Sequence, residues 1–200
     1  MGEQLDFNTY LFISPSKISI FVNKNFETPN IFFKELKIKN DLNKLNFEFI
    51  ENFLHENIFK IEKLLNDFVK NIYLIIDSSN FLINQMSIKE NNYGKQLTQN
   101  NLKHLLNMSK DQCIKTLEDN KIIHMIIDNY QIDKKNYPFF PDNISCENFS
   151  LDITFILLSN KIIKDLELIL KRYQISIIKI LNASYLLEFF KKNERDIFLM

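Results

Sequence analysis

An α/β fold interrupted by a second, α+β block is what this sequence predicts, on three observations. Short β-rich runs open the chain, helical stripes then alternate with continuous apolar runs, and residues 80–159 switch to a half-polar, alternating pattern. The opening runs are Tyr10 to Ser14, Lys17 to Asn23 and Asn30 to Ile38. Ser-Pro and Asn25-Phe26-Glu27-Thr28-Pro29 separate them, so they read as a meander. Helical spacing follows from Asn46 to Phe68, where Phe47, Ile50, Phe53, Leu54, Ile58, Ile61, Leu65 and Phe68 form a stripe opposite Glu and Lys. Ile72 to Ile76 is then an apolar run of strand length, as for a strand covered on both faces, and Asp77-Ser78-Ser79 closes it.

The middle block reads as strand, helix, strand, strand. Phe81 to Lys89 is strand-like, and the polar stretch from Lys89 to Gln99 is expected to be a mobile loop. Thr98 can cap a helix whose apolar positions are Leu102, Leu105, Leu106, Cys113 and Leu117, with Asn101 making the capping box imperfect. Lys121 to Asp133 is the next strand. In the last, Phe149, Leu151, Ile153, Phe155 and Leu157 alternate with Ser150, Asp152 and Thr154. After the block come an amphipathic helix over Ile162, Ile163, Leu166, Ile169 and Leu170, a buried strand from Ile175 to Leu181, and a third helix from Ala183 to Lys192. Asp196 to Met200 can open a further strand. Without residues 80–159 the order is βββαβ then αβα, that of the ribonuclease-H-like half-domain of actin-type ATPases and related nucleases.

With 46% hydrophobic residues in 200, the chain can bury a sizeable core. Its 25 basic and 25 acidic residues cancel, which removes the electrostatic reason to expect nucleic acid or an anionic membrane surface. Cys113 and Cys146 lack CxxC spacing and read as small buried hydrophobes in a reducing cytoplasm. The start, Met1-Gly2-Glu3-Gln4-Leu5-Asp6, has no signal-peptide pattern, and no apolar run is long enough to span a bilayer.

The segment Ile123-His124-Met125-Ile126-Ile127-Asp128-Asn129-Tyr130-Gln131-Ile132-Asp133 resembles the "LHVIPQEYxID" segment of the bacterial cell-division FtsA family. Ile72 to Ile76, Leu97-Thr98, Leu151 to Ser159 and Lys164 to Ser184 resemble further family segments in the same order. The resemblance implies an actin-type subdomain 1A over 1–79 and 160–200. It also implies an inserted strand-helix-strand-strand module (SHS2, subdomain 1C) over 80–159. The pilus protein PilM shares this architecture and competes with FtsA. At the family's first phosphate loop this chain reads Phe12-Ile13-Ser14-Pro15-Ser16-Lys17-Ile18, without the acid or the glycine. A phosphate cradle needs closely approaching N–H groups, and Pro15 has none, so Ser14, Pro15, Ser16 and Lys17 are a degenerate loop. A "DIGGGT"-like second loop is absent.

No catalytic site and no metal site are expected. His55, His104 and His124 are scattered, and Asp77, Asp128, Asp133 and Asp152 lack the first-strand acid a ribonuclease-H-like nuclease needs, since Phe12 sits there. Ser78 and Ser79 are expected to hydrogen-bond within a turn. No cofactor is expected, with ATP only if the sequence is a fragment or a partner completes the cleft. The reading is a cytoplasmic, FtsA-like protein-interaction component of cell division, recruited by partners to the inner membrane face at the division site. The partners would be division proteins or another FtsA-like chain, with self-association also open and no nucleic acid or direct membrane insertion. Phe81, Ile83, Gln85 and Ser87, on the strand that opens the inserted module, are the interaction candidates. That strand is expected at a sheet edge, with Ile83 or Gln85 turning its N–H outward.

Overall fold

The structure is a computed structural model describing residues 7–24, 30–38 and 44–189. The turn expected over Asn25 to Pro29, the end of the third helix and the strand expected at Asp196 to Met200 lie outside the described residues. The chain divides into two compact units: Met1–Asn80 with Lys161–Met200, and Phe81–Asn160.

In the first unit, β1 (Phe7–Ile13) and β2 (Lys17–Lys24) form a hairpin, and β3 (Phe32–Lys37) pairs antiparallel with β2. Helix α1 (Phe47–Leu65) follows. The Asn46 side chain caps its start by accepting from Phe49 N–H at 3.2 Å, and Asn66 ends it in the left-handed region at φ 52°. Strand β4 (Asn71–Ile76) lies parallel to β1. After the second unit, α3 (Asn160–Lys171) leads into β9 (Ser176–Asn182), parallel to β4, giving the order β3-β2-β1-β4-β9. A helical run continues over 183–189.

Two antiparallel steps make β3 parallel to β1 and β4. The crossovers β3-α1-β4 and β4-α3-β9 are therefore of the parallel kind, whose right-handedness puts both helices on one face. Arg172 pairs with Glu51, and Tyr173 Oη donates to Glu51 O at 3.4 Å, so the end of α3 lies beside α1. Leu11, Ile18, Ile20, Ile72 and Leu74 on the sheet are fully buried, as are Leu54 and Ile61 of α1. Each such side chain contributes about 1.5–3 kcal/mol by leaving water. Strand β9 is not the buried strand its composition suggests. Among the described residues it is the terminal strand of its sheet, and it leaves Ser176, Ile178 and Lys179 exposed.

The second unit is built from β5 (Phe81–Asn91), α2 (Gln99–Thr116), β6 (Asn120–Ile132), β7 (Lys135–Tyr137) and β8 (Asn148–Ser159), all antiparallel in the order β5-β8-β6-β7. It has one strand more than the sequence suggests. Strand β7 returns from β6 through Asp133-Lys134, both at positive φ (46° and 72°), a two-residue hairpin made without glycine. The helix start is also better formed than expected. Asn101 Oδ1 accepts from the Thr98 N–H at 3.1 Å and its hydroxyl at 2.7 Å, so a short amide serves where Glu or Gln is usual. Leu105 and Cys113 of α2 pack with Leu97, Phe149, Leu151, Ile153, Phe155 and Leu157 as the core. Burial raises the pKa of the Cys146 thiol in that same core.

The stretch from Lys89 to Gln99 is not a free loop. Strand β5 runs on to Asn91. Beyond it Gly94 N–H donates to Cys146 O at 3.0 Å and Leu97 N–H to Ile144 O at 2.8 Å, while the Asn92 amide bridges to Lys95 O at 2.5 Å. Asparagine side chains supply the turn bonds that the polar composition alone left unassigned.

Candidate interaction surface

Met86 and Ile88 of β5 pack against the core under α2, so the alternate residues Phe81, Ile83, Gln85 and Ser87 stand together on the opposite, outer face. Ile83 is 64% exposed. Strand β5 is a terminal strand: it pairs with β8 across eleven residues without a register shift, and among the described residues no strand pairs with its other side.

Two bonds at the open end set the phase of this ladder. Asn92 N–H donates to Glu147 O at 2.7 Å, whereas Asn148 O, one residue on, accepts from Asp133 N–H on the β6 side. In unbroken antiparallel register the pattern alternates. Odd residues of β8 therefore bond β5, their partners are the even residues of β5, and the odd residues of β5 turn N–H and C=O outward. Ile83 and Gln85 are two apart and in the same phase, so both point outward, not one of the two. With Phe81, Ser87 and Lys89 they form a row of unpaired backbone groups, the feature by which a sheet edge accepts another chain.

Behind this edge the outer face carries a polar ladder. Ser87 Oγ donates to Asp152 Oδ1 at 2.5 Å, and Asn129 Nδ2 donates to Asp152 Oδ2 at 3.2 Å. Thr154 Oγ1 donates to Asp128 Oδ2 at 2.6 Å and lies 3.4 Å from Gln85 Nε2. Asp128 and Asp152 are thus engaged by hydroxyls and amides. Asp133 caps the β8 end instead, accepting from the Glu147 and Asn148 N–H groups. Asp77 lies in the first unit, where its N–H donates to Ile13 O. The alternation of Ser150, Asp152 and Thr154 in the sequence already marked this face, but as the polar side of a strand and not as part of a surface behind β5.

Ser14, Pro15, Ser16 and Lys17 make the β1–β2 turn. Ser14 is buried, and its N–H and hydroxyl both donate to Lys17 O, at 2.8 and 3.1 Å. The Lys17 ammonium sits 3.3 Å from Glu35 Oε2 and 5.1 Å from the centre of the Phe12 ring. Ser78 Oγ accepts from Asn80 N–H and Nδ2, as a turn serine does. His55 falls in α1, His124 in β6, and His104 in α2 with Nε2 4.0 Å from Glu90 Oε1. Among the described residues no cluster of His, Cys, Asp and Glu has the geometry to hold a metal ion, and no helix is long and apolar enough to cross a membrane.

No family model and no curated protein matches the sequence. Among solved structures, the PilM-PilN type IV pilus biogenesis complex matches with a TM-score of 0.51 and 6% identity, over 92% of this chain and 49% of that one. The cytoplasmic domain of EpsL, an inner membrane component of the type II secretion system of Vibrio cholerae, matches with a TM-score of 0.40 and 10% identity, over 88% and 56%. This chain therefore spans about half the length of the structures it resembles. The first likeness is one of fold alone: this chain shares its α/β architecture with the PilM-PilN structure. It does not single out FtsA among proteins of that fold.

Proposed function

We propose that this chain works by binding protein, as an actin-like scaffold whose unit of residues 81–160 presents β5 to an extended partner segment. The observation that carries this is the row of outward backbone groups at odd positions from Phe81 to Lys89, on an edge with exposed apolar side chains. Two finer readings share the proposal. A PilM-like scaffold in pilus assembly is favoured by the fold likeness to the PilM-PilN complex. An FtsA-like role in septal ring assembly rests on the sequence resemblance through Ile123 to Asp133. Either role would act from the cytoplasm without nucleotide turnover, because the β1–β2 turn is closed on itself and holds Lys17 against Glu35.

The test is capture of a PilN-like N-terminal peptide and of division proteins by wild type and by Gln85→Pro, which removes one outward N–H. Partner capture is expected to fall at least about tenfold with the fold intact. Undiminished capture by a folded Gln85→Pro chain contradicts the assignment. A calorimetric titration with Mg-ATP should show no saturation, and affinity in the range of about 1 μM would favour the ATP-binding reading instead.

A further inference from the structure

The β5 edge is graded along its length. At its start stand Phe81, Leu82 (41% exposed) and Ile83 (64% exposed); Gln85 and Ser87 occupy the middle; Lys89 stands on the outer face near the end. Lys89 lies in one cross-strand row with Ser150 and Gln131, and together with Lys134 they line a cavity of about 340 Å³. The acid that lines the same cavity, Asp133, has both carboxylate oxygens engaged by backbone N–H groups. Glu90 is an even-numbered neighbour on the α2 side of the strand, with Oε1 4.0 Å from His104 Nε2. This end of the outer face therefore presents two ammonium groups, and its one lining carboxylate is already hydrogen-bonded.

Building on the proposed edge docking, we infer that the occupant of β5 is an extended segment of graded chemistry, acidic where it meets Lys89 and Lys134 and apolar where it meets Phe81 and Ile83. The segment runs antiparallel to β5, as every pairing in this sheet does, so its acidic residues precede its apolar ones. A second copy of this chain does not fit that description. Two β5 edges related by a twofold axis set the apolar start of each strand against the lysine end of the other, so neither meets its complement.

Three capped peptides of about nine alternating residues test the inference. One has glutamates at its start and valines at its end, one has the order reversed, and one has lysines in place of the glutamates. By fluorescence anisotropy the first is expected to bind on the order of tenfold tighter than either of the others, and the preference should weaken with salt. In the Lys89→Glu, Lys134→Glu double variant, the lysine peptide should become the tighter ligand. Equal affinity for all three peptides, lost together on Gln85→Pro, overturns the charge grading and leaves edge docking standing. If no peptide binds and Gln85→Pro leaves partner capture unchanged, edge docking falls with it. A concentration-dependent dimer in sedimentation, abolished by Gln85→Pro, would put a second copy on the edge and overturn the inference.

Discussion

On the sheet of the first unit, the face turned from α1 and α3 carries a row of rings straight across four strands, Phe33, Phe21, Tyr10 and Tyr73 in register. Tyr10 stacks on Phe21 with centroids 4.7 Å apart and on Tyr73 at 5.0 Å, both nearly parallel. On the sheet of the second unit, the face turned from α2 carries instead the hydroxyl, amide and carboxylate ladder of Ser87, Asp152, Asn129, Thr154 and Asp128. Rings that stack on one another satisfy themselves by packing. Hydrogen-bonded polar groups stay compatible with water and leave an edge such as β5 free to be used. On the proposed reading, the ring face contributes stability, while the polar face leaves the β5 edge free for recognition.

The largest expected effect lies on the ring row. Tyr10→Ala removes a side chain only 9% exposed and stacked on both sides, and should lower unfolding free energy by about 3–5 kcal/mol in chemical denaturation. A loss below about 1 kcal/mol would break the comparison. Burial, and secondarily the charge of Tyr73, raise the Tyr10 pKa above its ordinary 10.0. A folded-state value above the unfolded one gives stability that is fully present below pH 10 and lost as pH rises through the folded value. Tyr10→Phe should flatten that alkaline loss, as read from midpoints at rising pH.

Next in size is the difference between neighbouring prolines on β5. Met86→Pro deletes a ladder N–H to β8 and buries a ring in the wrong place, costing about 3 kcal/mol or more. Gln85→Pro deletes an outward one and should cost under about 1 kcal/mol. Equal midpoints for the two variants would erase the phase on which the docking edge depends.

The polar ladder should prove cheaper to disturb than the rings. Asp152→Ala strips the acceptor of Ser87 and Asn129 on a half-exposed face, with an expected loss of about 1 kcal/mol and no change in peptide binding. Smaller still is Lys17→Ala, since its pair with Glu35 is partly exposed and such pairs contribute about 0.2–1 kcal/mol.

Much of the secondary structure was legible because periodicity is local. The stripe read from Asn46 to Phe68 became α1 only as far as Leu65, because Asn66 takes a positive φ and ends the helix, leaving Phe68 beyond it and exposed. The alternation from Phe149 to Leu157, by contrast, became β8 with its two faces sorted as the pattern implied. What escaped was set by partners distant in the chain or by single turns. Strand β7 is three residues long with no apolar pattern, and it exists because Asp133 and Lys134 accept positive φ. The polar end of β5 is strand because β8 pairs with it across more than fifty intervening residues. Strand β9 reads as buried from its isoleucines, yet at the end of the sheet among the described residues it leaves Ser176, Ile178 and Lys179 exposed. Phe81, Ile83, Gln85 and Ser87 could be named from the sequence as one face of one strand. Their common outward phase, and Lys89 and Lys134 beyond them, required the register.

Amide hydrogen exchange along β5, with and without the acidic-to-apolar peptide, tests the central claim most directly. In the free chain the even amides Leu82, Asn84, Met86 and Ile88 should be protected, while Ile83, Gln85, Ser87 and Lys89 exchange freely. Bound peptide should slow the odd set by on the order of tenfold or more and leave the even set as it was. Odd amides that are already protected in the free chain, or that stay fast with peptide bound, would contradict it.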